Sequence, residues 1–171
     1  DPLLSPTAAK ADIWLAIRPG TDLALFLAMH HVIVREGLYD VDFVKSWTNA
    51  PFLVREDNGL FLRGKGEKGY VVWDERTGAP AVADPWLHQG VQPALNGTYE
   101  IENTVCRPAW QLFRDLVEPC TPRWAQEITW VPEQRILEVT RLLATTKPAT
   151  VEWYNGLMRN TNTYCTGVAL G

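Results

Sequence analysis

Three short stretches of the 171-residue chain bring together side chains that could do chemistry. The first is Arg18-Pro19-Gly20-Thr21-Asp22, a tight turn that follows an apolar run. Backbone amides at Gly20 and Thr21 sit where a helix begins, the place that favours anions. The Asp22 carboxylate can accept two parallel bonds from a group with adjacent N–H donors, and the N1–H and N2–H₂ edge of guanine is such a group. Thr21 or Asp22 also suits a plain helix N-cap, and both readings stand at this point. The second stretch is Asn155-Gly156-Leu157-Met158-Arg159-Asn160-Thr161-Asn162. Arg159 suits a pyrophosphate, and the side-chain amides of Asn155 and Asn160 suit the polar edges of a heterocycle. An Asn-rich turn bonded to its own backbone is the alternative. The third, His30-His31, invites a metal, but adjacent helical residues point apart and neither has an acidic or histidine partner at i+4.

Each of these stretches needs an element to hold it. Ile13-Trp14-Leu15-Ala16-Ile17 has the content of a short buried strand, and Leu23, Phe26, Leu27, His30 and Val34 recur at helical spacing. The turn is therefore expected inside a strand-turn-helix unit whose helix runs from Asp22 to about Glu36, with Gly37 ending it at positive φ. Asp40-Val41-Asp42 opens a second helix through Trp47. Short β-type runs follow at 52–55, 60–63 and 70–73, separated by Asp57-Asn58-Gly59 and a Gly/Lys tip at 64–69, which together predict a meander of hairpins. The Gly/Lys tip precedes a strand and lacks Gly-Lys-Ser/Thr, so it is not a phosphate loop. Residues 98–102 predict one more strand. Helices are expected at 107–117, 122–129 and 132–145, with Pro122 and Pro132 at N1. A strand at 149–153 leading into the Asn155-Gly156 turn makes a second strand-turn-helix unit.

Composition narrows the function classes. The chain is 46% apolar and 21% charged, ordinary for a globular protein, and its formal charge of −4 leaves no broad basic field for nucleic acid. Cys106, Cys120 and Cys165 are odd in number and far apart, which gives neither a CxxC pair nor a disulfide framework. The longest apolar stretch, at 23–34, is too short to span a bilayer. There is no initiator methionine or signal-peptide pattern at the start and no helix-stop signal at the end, so the chain is read as a segment of a larger protein.

The order of these motifs resembles the dimethyl sulfoxide reductase family, the molybdenum or tungsten bis-molybdopterin guanine dinucleotide oxidoreductases. Asp1-Pro2 with Thr7-Ala8 and Ala11-Asp12 is similar to the family's Asp-Pro-Arg stretch and its following Thr-Ala and Ala-Asp. Ile17-Arg18-Pro19-Gly20-Thr21-Asp22-Leu23-Ala24-Leu25 is similar to its guanine-binding turn. Gly37-Leu38-Tyr39-Asp40, Asp42-Phe43-Val44, Cys120-Thr121-Pro122-Arg123-Trp124-Ala125, Ile128-Thr129 and Lys147-Pro148-Ala149 continue in family order.

The resemblance implies an α/β fold with Rossmann-like, dinucleotide-binding strand-turn-helix units and an inserted β-hairpin meander. Residues 1–50 would end one nucleotide-binding domain, 51–105 would form the insertion, and 106–171 would belong to the adjacent α/β domain. It further implies that Asp1, Pro2 and Ser5 reach the ribose or phosphates, that Gly20, Thr21 and Asp22 bind guanine, and that Asn155, Gly156, Arg159 and Asn160 lie beside the pterin. A 4Fe-4S cluster and the metal-ligating residue would lie before residue 1, and an iron-sulfur electron-transfer subunit and a small-molecule substrate would be partners. Leu3 stands where the family usually has Arg, and Asn155, Arg159 and Asn160 stand where it has Met, Gln and His. Those departures leave three readings for the whole protein: a redox enzyme, a non-redox hydratase of the same family, or an interaction module that has lost its cofactor.

Overall fold

The computed structural model describes residues 1–64, 69–83 and 90–151, together with Cys165. Its elements run as a single 3-10 turn Ala8–Lys10, then α1 Asp22–Arg35, α2 Val41–Trp47, β1 Leu53–Arg55, β2 Tyr70–Asp74 and β3 Ala79–Ala83. They continue with β4 Tyr99–Ile101, β5 Thr104–Pro108, α3 Ala109–Val117, α4 Pro122–Thr129 and α5 Glu133–Thr145. The chain divides into two compact units, one formed by Asp1–Tyr39 and Leu116–Gly171, the other by Asp40–Asp115.

The first unit is helical among its described residues. Helix α1 packs on α4 and α5, which also pack on each other. The buried face of α1 is not the one read from the sequence: Ala24, Leu25, Ala28, Met29 and Val32 are buried, whereas Leu23, Phe26, Leu27, His30 and Val34 are only half-buried. Leu25, Ala28 and Met29 meet Ala125, Val131 and Ile136 in one buried cluster against which Phe26 packs. Helix α1 stops where expected. Gly37 takes φ +65°, its amide donates to Val34 O, and the Leu38 amide donates to Ile33 O, the two bonds of a Schellman end. Thr121 caps α4 by accepting from the Trp124 amide at 3.2 Å, with Pro122 first in the helix. Pro132 is the N-cap residue of α5 rather than its first helical residue.

The strand expected at 13–17 has no ladder among the described residues. Ile17 is buried, but its side chain joins the helical cluster and its amide donates to Leu15 O, two residues back. A strand exists only through a neighbour that takes its amides and carbonyls. Here the partner is a helix end: the Arg18 amide donates to Thr129 O at 2.8 Å.

The second unit holds two antiparallel sheets, one in the order β1-β5-β4 and one made of β2 and β3. Their registers align Leu53 with Pro108, Tyr99 with Cys106, and Tyr70 with Ala83. Strands β4 and β5 are joined through Glu102 and Asn103, both at positive φ, as a two-residue primed turn requires. That hairpin corrects the helix expected from residue 107, because Arg107 and Pro108 pair with Val54 and Leu53 and α3 begins only at Ala109. The run at 60–63 forms isolated bridges, Val54 to Phe61 and Arg63 to Tyr70, instead of a strand. The Asn58-Gly59 turn forms as expected, with Gly59 at φ +71°.

Asp74 is the structural anchor of this unit. Its carboxylate is buried and accepts from the amides of Arg76 and Gln92 and from the Thr77 hydroxyl. These bonds, led by the one from Gln92, hold it below the usual carboxylate range against the opposing effect of burial.

Candidate functional site

The turn at 18–22 is built from both sides. Ile17 anchors it in the helical cluster, and the Arg18 carbonyl accepts from the Thr21 amide at 3.3 Å and the Thr21 hydroxyl at 2.7 Å. Gly20 closes the bend at φ +78°, with open space where a Cβ would stand. Because the Thr21 hydroxyl donates backwards, it does not cap α1, although Thr21 is the N-cap residue. The Ala24 and Leu25 amides both reach Thr21 O. The amides of Asp22 and Leu23 therefore have no partner among the described residues, and neither does the half-buried Asp22 carboxylate.

Asp22 opens α1 without capping it. A capping carboxylate would be occupied by a first-turn amide, and this one is not. The turn presents an unbonded carboxylate, two unbonded amides and a side-chain-free glycine, a donor and acceptor set that suits a planar edge with adjacent N–H groups.

Asp1 and Ser5 are brought together, but their polar atoms serve their own loop. One Asp1 carboxylate oxygen accepts from the Leu3 amide and the other from the Ser5 hydroxyl at 2.7 Å, while Ser5 Oγ accepts from the Ala8 amide. Trp14 Nε1 donates to Asp1 O at 2.8 Å and so tethers the loop to the segment that leads into the turn. Pro2 and Leu3 are exposed. Asn155, Gly156, Arg159 and Asn160 lie outside the described residues.

Linear reading missed the other wall of the turn. Trp130 follows α4 at φ +65°, a left-handed backbone that costs a non-glycine residue about 1–3 kcal/mol. Its neighbours impose that geometry. Thr129 and Val131 are buried on either side, the Thr129 hydroxyl donates to Ala125 O and accepts from the Val131 amide, and the Trp130 amide donates to Gln126 O. The indole is thereby turned outward, 67% exposed, and the Arg18 guanidinium lies over its ring at 5.2 Å from the centroid. No local pattern links positions 18 and 130, so the only signal was a tryptophan directly after a helix.

Arg18 is unusual in its charge environment. Arg35, Arg55, Arg76, Arg107, Arg114, Arg135 and Arg141 each lie beside a carboxylate, and Arg63 donates to the Tyr70 hydroxyl. Among the described residues, Arg18 and Arg123 alone of the arginines make neither an ion pair nor a side-chain hydrogen bond. The open cleft of about 360 Å³ lined by Val54, Arg55, Glu56, Gly59, Arg107 and Leu112 offers less, since its two arginines are taken by Asp57, Glu56 and Asp115.

His30 Nδ1 faces Phe26 O and His31 Nδ1 faces Val117 O, and burial lowers the His30 pKa below the usual histidine value. No group of three potential ligands gathers among the described residues. Cys106 and Cys120 are buried and free, and burial pushes both thiols up, away from the reactive thiolate.

No protein-family model matches the chain. Individual proteins do. The alpha subunit of perchlorate reductase from Dechloromonas aromatica is 32% identical over 90% of this chain and 22% of its own length. The molybdopterin-containing subunit of arsenate respiratory reductase from Chrysiogenes arsenatis is 29% identical over 96% of this chain and 15% of its own length. The chain belongs to the dimethyl sulfoxide reductase family of molybdopterin catalytic subunits. It spans about a fifth or less of the length of these family members. Acetylene hydratase from Pelobacter acetylenicus shares the fold, with a TM-score of 0.61 and 23% identity over 98% of this chain and 15% of that one. Family membership agrees with a mixed α/β chain carrying small sheets, and no described helix is long and apolar enough to cross a membrane.

Proposed function

We propose that this segment holds a nucleotide end of a bis-molybdopterin guanine dinucleotide. The whole protein would then be a molybdenum or tungsten oxidoreductase moving electrons or an oxygen atom to or from a small substrate. One observation carries the reading: Asp22 opens α1 with a carboxylate that no described residue bonds, at a turn held rigid by Thr21 and Arg18. In this reading Asp22 accepts from the guanine N1–H and N2–H₂, Gly20 leaves room for the base, and Thr21 locks the bend. Asp1, Pro2 and Ser5 shape the loop that faces the ribose or phosphates, acting through backbone groups because the Asp1 and Ser5 side chains bond each other. Asn155, Gly156, Arg159 and Asn160 form the pterin-side contacts.

The bound cofactor supplies the redox-active metal, and the protein's part is to bind and orient it. A 4Fe-4S cluster and an iron-sulfur partner subunit complete the proposed whole enzyme. Its proposed fold is a Rossmann-like arrangement, with nucleotide-binding domains on either side of the insertion at 51–105. The test is to release the cofactor from the purified whole protein and identify it by mass spectrometry, with metal analysis alongside. Molybdopterin guanine dinucleotide with molybdenum or tungsten is expected. A pterin without a guanine nucleotide, or no cofactor at all, overturns the reading.

A further inference from the structure

We propose that Trp130 is a positioning residue for this site: its indole carries the Arg18 guanidinium at the edge of the turn, where it pairs with a phosphate of the bound guanine dinucleotide. The inference rests on the reading of the turn as a guanine receptor and adds to it the anion-binding group and the residue that aims it. Three observations converge. The Arg18 guanidinium lies 5.2 Å from the Trp130 centroid and has no carboxylate or hydrogen-bond partner among the described residues, so its N–H donors are unspent. Arg18 is in the same turn as Asp22, and its carbonyl is the acceptor that closes that turn. Trp130 is held outward in a left-handed backbone by buried Thr129 and Val131, where glycine would fit without strain and a large exposed ring gains little from burial. A tryptophan there makes physical sense as a platform.

An unsupported arginine samples many rotamers and must lose that freedom when it meets a phosphate. Stacked on an indole, the guanidinium keeps one orientation and pairs with the anion at less cost, with its edge donors free. Trp130→Gly distinguishes this role from a structural one, because it relieves the left-handed backbone while removing the platform.

The experiment uses the whole cofactor-loaded protein in four variants, Trp130→Gly, Trp130→Phe, Arg18→Ala and Asp22→Ala. The readouts are melting temperature and the rate at which guanine dinucleotide is lost on dilution, followed by mass spectrometry. Trp130→Gly is expected to melt at or above the parent temperature yet release nucleotide about two- to fivefold faster, the range for a cation–π contact. Trp130→Phe, which keeps a ring, should stay near the parent rate, and Arg18→Ala should release at least as fast as Trp130→Gly. If Trp130→Gly keeps the parent rate while Asp22→Ala accelerates release, the Trp130 proposal is overturned and the guanine site stands. If Trp130→Gly and Trp130→Phe are equally fast, the platform is not the cause and the proposal is likewise overturned. If Asp22→Ala changes nothing, the guanine site falls and this inference with it.

Discussion

At the residue scale the carboxylates divide into occupied and open. Asp74 is buried with three donors on it, Glu36 is gripped by Arg141 through contacts at 2.7 and 2.9 Å, and Asp57 pairs with Arg55. All three are held below the ordinary carboxylate range, Asp74 by backbone amides first and the other two by their arginine partners. A depressed folded pKa contributes stability above the unfolded value, near 4, that is lost as pH falls through the folded value. Urea titrations from pH 7 down to 3 should therefore show stability falling below about pH 4, where the unfolded chain takes up these protons. Asp74→Asn should lower the pH 7 midpoint and flatten that fall; an unchanged profile would contradict the role assigned to Asp74. The thiols make a second test. Cys106 and Cys120 should resist alkylation at neutral pH until the protein is unfolded, and rapid native labelling of either would contradict their burial.

At the element scale, two helix starts that look alike in sequence behave differently. Thr121 caps α4, whereas Thr21 turns its hydroxyl back to Arg18 and leaves α1 open. Thr121→Ala should destabilise the protein by about 1 kcal/mol in a denaturant titration. Ile136→Ala, which empties the cluster where α1, α4 and α5 meet, should cost about 2–5 kcal/mol, and a loss below about 1 kcal/mol would contradict that packing. Elements whose signals are local were legible beforehand. Helix α1 followed from its spacing and Gly37, α2 from Asp40, whose side chain accepts from the Phe43 amide, and the tight turn from Asn58-Gly59. Elements decided by a partner distant in sequence were not. Residues 13–17 have strand composition but meet a helix end, and Arg107 has helical spacing ahead of it but pairs with Val54. The same limit applies to the site: Gly20, Thr21 and Asp22 stood out in the sequence, while Trp130 entered only through its contact with Arg18, far away along the chain.

At the scale of the whole molecule, the chain spans about a fifth or less of the length of the relatives it matches. Leu3, Phe43, Trp47, Leu60, Leu116 and Trp130 are each more than half exposed, within a chain of net charge −4. The turn at 18–22 presents a carboxylate that no described residue bonds. The proposed partner is the guanine of the cofactor, and the chemistry at the metal would then belong to residues of the whole enzyme beyond this segment. The most direct measurement is the guanine dinucleotide content of the whole protein carrying Asp22→Ala, determined by mass spectrometry against the parent at equal protein concentration. Loss of charge-assisted bonds of this kind predicts binding weakened by about tenfold to a hundredfold and a matching fall in retained nucleotide after dialysis. Retention equal to the parent would contradict the assignment of Asp22 as the guanine receptor.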